Sequence, residues 1–80
     1  MYKELIAFTL RYPEGQRYAV NLSEPVKVMQ TETYFFDAAQ LIEHVVTFTE
    51  RYRRKGYIHD VGGGLIMVRF PNCFMTVMTV

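Results

Sequence analysis

One stretch constrains this chain more than any other: Asp37 to Gly56 has the pattern of a single amphipathic helix. Asp37 stands where its carboxylate can accept from the free N–H groups of a first turn. Gln40 follows three residues later, so Asp37-x-x-Gln40 has the form of a capping box. Phe36 and Leu41 have the spacing of a hydrophobic staple. Gly56 can take the left-handed conformation that stops a helix. Between these ends Ala38, Leu41, Ile42, Val45, Phe48, Thr49 and Tyr52 repeat at helical spacing and form one apolar stripe. Glu43, Thr47, Glu50 and Arg54 fall on the opposite side, and Arg51, Arg53, Arg54 and Lys55 set positive charge against the negative end of the helix dipole. Such a helix is marginal alone in water, so its stripe demands a partner surface.

The flanking segments read as strands that supply one. Residues 3–12 alternate, with Ile6, Phe8, Leu10 and Tyr12 on one parity. Pro13-Glu14-Gly15 then suits a three-residue hairpin loop. That loop sets Leu10 opposite Tyr18, Phe8 opposite Val20 and Ile6 opposite Leu22, and a shift by one residue spoils every pair. The expected first hairpin is therefore 3–12 with 16–23. Residues 26–35 are rich in β-branched and aromatic types and should hold a third strand, with its register unset because the alternation slips near Val28 and Met29.

After the helix, residues 57–61 read as a short strand or a loop, and Gly62-Gly63-Gly64 as a connector that lets the chain reverse. A second hairpin follows around Pro71-Asn72. Its register pairs Phe70 with Cys73, Val68 with Met75 and Ile66 with Val77, making one face wholly apolar. The expected fold is α+β: an antiparallel sheet of four to five strands with one amphipathic helix on one face, in the order β-β-(β)-α-β-β, and residues 1–80 as one domain.

Half of the 80 residues are apolar or aromatic and 21% are charged, which suits a packed core rather than disorder. The net charge of +1 fits neither a dedicated DNA binder nor an acidic mimic of nucleic acid. One cysteine, Cys73, allows no internal disulfide and suits a reducing compartment. No apolar run approaches the length of a membrane span, and the first residues lack a signal-peptide pattern, so the expectation is a cytoplasmic protein without a membrane partner.

Chemistry is poorly supplied. His44, His59, Asp60 and Cys73 are the residue types of a catalytic kit, but no spacing brings them together, and a buried Cys73 with surface histidines is the simpler reading. Adjacent His59 and Asp60 do not make a metal site, and the glycine run lacks the following helix that a phosphate cradle needs. The expectation is no catalytic residue, no metal and no cofactor.

Two surfaces are left over. On the second face of the C-terminal hairpin the register gathers Leu65, Met67, Arg69, Phe74 and Met78, joined by Leu5 and Ala7 from the first hairpin. An apolar sheet face of this kind suits a partner protein or a homodimer. The last strand, if it lies at an edge, offers a pairing site as well. The second surface is basic: Arg51, Arg53, Arg54 and Lys55, with Arg11 and Arg17 placed together on the first hairpin. It suits phosphate or an acidic partner, and exposed Tyr2, Tyr34 or Tyr57 would stack on unpaired bases. The expected function is a small non-enzymatic protein, an inhibitor or adaptor that docks on a partner protein. The alternative is a nucleic-acid-binding module using residues 51–55 and the sheet aromatics. The size and layering are similar to those of phage-encoded inhibitors of host defence such as anti-CRISPR proteins, in dimensions and architecture only, with no motif behind the likeness.

Overall fold

The computed structural model describes the backbone of residues 2–24, 30–52 and 57–80, and their side chains except those of 30–32 and 52. The order is α1 (Lys3–Leu10), β1 (Tyr18–Glu24), β2 (Gln30–Phe36), α2 (Ala38–Tyr52), β3 (Tyr57–Gly62), β4 (Leu65–Arg69) and β5 (Phe74–Thr79). The five strands make one sheet in the order β2-β1-β5-β4-β3, every neighbouring pair antiparallel. Both helices pack against one face of it. The fold is therefore the expected α+β layering, with a second helix added.

That helix is a correction. Residues 3–12 were expected to be a strand paired with 16–23; residues 3–10 are helical instead. The segment satisfies both periods at once. Ile6, Phe8, Leu10 and Tyr12 share a strand parity, but Leu5, Phe8, Thr9 and Tyr12 share a helical stripe. The helical set is the one that is buried or half-buried, while Ile6 is 42% and Leu10 80% exposed. Leu5, expected on an open sheet face, is fully buried, and Ala7 lies exposed on the helix.

Two physical facts decide the outcome. Both edges of β1 are already taken, by β2 and β5, so no position remains beside it for another strand. Five strands also span about 19 Å from first to last at the usual strand spacing, and a helix is about 10 Å wide. One helix leaves half of such a face wet; two tile it. Accordingly α2 lies on the β2 side and α1 on the β3 side.

The layer between them is the core. Tyr18, Val20, Ile66, Val68, Met75 and Val77 from the sheet meet Leu5 and Phe8 from α1 and Leu41 and Val45 from α2, all at 1% exposure or less. Burying each aliphatic side chain contributes about 1.5–3 kcal/mol. The rings of Phe8, Tyr12 and Tyr18 tie α1 to β1, with centroids 5.4 Å (Phe8–Tyr12) and 5.8 Å (Phe8–Tyr18) apart. Arg11 reaches across to Asp60 of β3 at 2.6 Å.

The helix start expected at Asp37 is present. Gln40 donates its backbone N–H to Asp37 Oδ1 at 2.9 Å, and Leu41 N–H donates to the Asp37 carbonyl at 2.8 Å. Leu41, Val45 and Thr49 of the stripe are buried and Glu43, Thr47 and Glu50 are exposed. The expected stop at Gly56 lies outside the described residues, as does the slip near Val28 and Met29.

The C-terminal hairpin has the register read from the sequence, with Ile66 opposite Val77 and Val68 opposite Met75. Phe70 N–H donates to the Cys73 carbonyl at 2.8 Å to close its turn. Residues 57–62 are a strand. The glycine run makes the β3–β4 turn: Gly63 and Gly64, between the paired Gly62 and Leu65, both have positive φ, 64° and 80°. That is the requirement of a type I′ hairpin. At Gly64 a Cβ would also stand 2.7 Å from Thr79 Oγ1 of the adjoining β5.

Candidate functional site

Side chains alternate across a strand, so the core residues define the composition of the other face. With Tyr18, Val20, Val77, Met75, Ile66 and Val68 turned to the helices, the opposite face consists of the intervening positions. The registers set them in three rows across the sheet. One row runs Phe35, Ala19, Met78, Leu65. The next runs Thr33, Asn21, Thr76, Met67, His59. The last runs Ser23, Phe74, Arg69, Tyr57.

The structure thus brings Leu65, Met67, Arg69, Phe74 and Met78 onto one surface at the centre of the sheet. Both helices lie on the other side. Phe35 is 56%, Met78 42% and Tyr57 70% exposed, and Leu65, Met67 and Phe74 are half-buried. β5 is the central strand rather than an edge; β2 and β3 are the edges.

Ala19, Asn21, Phe35 and His59 belong to the surface without having been singled out for it. For Ala19, Asn21 and Phe35 membership depends on β1 pairing with β5 across more than fifty residues of sequence, and on the β1–β2 register, which no local pattern fixed; His59 joins through the local β3–β4 hairpin, opposite Met67. Within the middle row the Thr33 hydroxyl donates to Asn21 Oδ1. That leaves the Asn21 amide N–H groups as what this side chain offers outward.

The basic set is dispersed. Arg11 lies at the end of α1 and pairs with Asp60, so it does not share a hairpin face with Arg17. Arg17 precedes β1, exposed, its carbonyl accepting from Val80 N–H at 3.1 Å. Arg51 is exposed in the last described turn of α2. Arg53, Arg54 and Lys55 lie outside the described residues.

Cys73 is buried beside the hairpin turn as part of the core. His44 stands on α2 within a row of rings: its imidazole stacks on Phe36 at 4.8 Å, with Tyr34 at 5.8 Å and Phe48 at 6.3 Å. Burial there lowers its pKa from the ordinary 6.5, because the charged form loses hydration. A groove of about 430 Å³ beside it is lined by Phe35, Phe36, Gln40, Glu43, His44 and Thr47. A second cavity, about 500 Å³, lies where the end of α1 and the following loop meet the start of α2, with Tyr12, Tyr18 and Asp37 in its wall. Burial, and then the proximity of Tyr12, push the Tyr18 phenol above its ordinary value. Among the described residues no three His, Cys, Asp or Glu side chains stand together as a metal-binding group. No described helix is long and apolar enough to cross a membrane.

No protein-family model, curated protein or solved structure matches the chain.

Proposed function

We propose that this chain is a non-enzymatic binding protein, an inhibitor or adaptor, that docks on a partner protein through the open face of its sheet. The observation that supports the reading is the one-sided layering. Two helices cover one face of five strands, and the other carries Phe35, Leu65, Met67, Phe74, Met78 and Tyr57 within reach of water. A contiguous apolar patch of this kind on a small domain marks an interaction site. Methionine and aromatic side chains are the types that interfaces favour.

Substitution on this face separates binding from folding. Met67→Glu places a charge on the surface without touching the core, so its melting temperature stays within a few degrees of wild type. Capture of the partner in an affinity pull-down is lost. If Met67→Glu and Phe74→Glu both retain the partner, while retention on DNA or RNA falls steeply with salt and with Arg51→Ala, the nucleic-acid reading replaces this one.

A further inference from the structure

The open face is segregated by charge. The chain holds eight acidic residues, and seven of them have described side chains. None of the seven is on the open face. Glu4, Glu43 and Glu50 are on the helices, Asp37 caps α2, and Glu14 is in the loop after α1. Asp60 points to the helix side, where it meets Arg11, and Glu24 has the strand parity of Tyr18 and Val20. The open face carries Arg69 at one end of its rows and His59 at the β3 edge, both exposed. Arg17 stands one residue before β1 at the opposite end. Its neutral polar groups include donors: the Asn21 amide and the Thr76 hydroxyl, in one row with His59.

From this segregation we infer that the partner surface is an acidic one: a protein segment that sets apolar side chains on Leu65, Met67, Phe74 and Met78 and carboxylates against Arg69, His59 and Arg17. The inference rests on the docking reading above and names the chemistry of what docks. A second copy of this chain is disfavoured by the same charges, because a two-fold pairing of this face sets cation-only surfaces against each other. Nucleic acid is disfavoured by their number. Two fixed positive charges at opposite ends of a patch about 20 Å across are few for a partner whose affinity grows with every phosphate neutralised. Met67, Met78 and Phe74 surround Thr76 on the central strand, with Arg69 and Tyr57 toward the β3 edge, and methionine, aromatic and arginine side chains are the types that protein interfaces favour.

The test is amide chemical-shift mapping of the full chain with three probes. One is a short peptide alternating Leu or Phe with Glu, the second the same peptide with Lys for Glu, and the third a single-stranded oligothymidine. The expected result is that the acidic peptide moves the amides of residues 65–69 and 74–78, binds more tightly as salt is lowered, and is weakened roughly tenfold or more by Arg69→Glu, the lower end for close charge pairs across an interface. Arg69→Gln weakens it less. Equal binding of the acidic and basic peptides at these residues overturns the charge preference and leaves the docking face standing. Shifts confined to other parts of the molecule overturn the docking face itself. Tighter binding of the oligothymidine at the same residues overturns the inference in favour of a phosphate-bearing partner. A dimer in light scattering that is dissociated by Met67→Glu overturns it in favour of a second copy.

Discussion

The two helices lie side by side on the same sheet face, yet they are held there differently. α2 spans 15 residues and is announced locally: Asp37 caps it, and Leu41, Val45 and Thr49 fall on one stripe. α1 spans eight residues, begins at Tyr2 without a side-chain cap bond, and has no basic residue in its last turn. Its final N–H groups reach back only three residues, Arg11 to Phe8 and Tyr12 to Thr9, at 3.3 Å each. A helix this short does not persist alone in water. What holds α1 is tertiary: Leu5 and Phe8 in the core, the Phe8–Tyr12–Tyr18 rings, and Arg11 on Asp60. The difference teaches that two elements of one layer can have opposite origins, one nucleated by its own residues and the other induced by the surface it covers.

The strongest way to break this contrast is at Phe8. Phe8→Ala removes a fully buried ring shared with Tyr12 and Tyr18, and should cost about 3–5 kcal/mol. That is a large share of the roughly 5–15 kcal/mol that stabilises a domain, and about 4–8 °C in Tm accompanies each kcal/mol at this size. Leu10→Ala, at an 80% exposed position, should change stability by no more than about 0.5 kcal/mol. The two residues share a face in a strand and not in this helix. Equal losses in urea unfolding would return residues 3–12 to strand packing.

This same degeneracy explains what the sequence could and could not disclose. In residues 65–79 the buried parity, Ile66, Val68, Met75 and Val77, is unbroken, so the pairing could be read residue by residue and is the pairing found. α2 was legible because its cap, stripe and charged side agree. Residues 3–12 were not, because Phe8 and Tyr12 belong to both periods, and the apolar Ile6 and Leu10 speak for the strand set where Leu5 and Thr9 speak for the helical one. The distinguishing fact is nonlocal: β1 pairs with β5, which fills its second edge and widens the sheet beyond the reach of one helix. The candidate surface divided in the same way. Its β4–β5 half follows from one hairpin and His59 joins through the adjoining β3–β4 hairpin, whereas Ala19, Asn21 and Phe35 join it through the pairing of β1 with the distant β5. The basic set depended on the first hairpin, and without that hairpin Arg11 and Arg17 part.

The cap of α2 sharpens the contrast at smaller magnitude. Asp37→Ala leaves the Gln40 N–H without its acceptor and should cost about 0.5–2 kcal/mol. A peptide of residues 36–52 should lose helicity by circular dichroism with the same substitution, since the cap acts within the segment. A peptide of residues 1–13 should show little helix at all, and appreciable helicity there would remove the claim that the sheet induces α1.

The finest distinction is in acid. α1 contains no histidine, Lys3 and Glu4 being its only ionisable residues. α2 contains His44, stacked on Phe36 and near Tyr34 and Phe48, with Glu43 on the same groove. Burial lowers the His44 pKa in the folded chain below 6.5, so the unfolded chain binds the proton more tightly. The stability this neutral imidazole contributes is complete above 6.5. It declines as the pH falls from there to the folded-state pKa, below which no further loss accrues from this group. Every other ionisable group is common to the two proteins, so the difference between wild type and His44→Gln isolates the term. The urea midpoint of wild type should fall more than that of His44→Gln as the pH is lowered through this window. Native-state hydrogen exchange should show the added opening in α2 and β2 rather than in α1. Equal midpoint slopes for the two proteins would mean that the Phe36 stack tolerates an imidazolium, and would leave the two helices alike in acid although they differ in how they form.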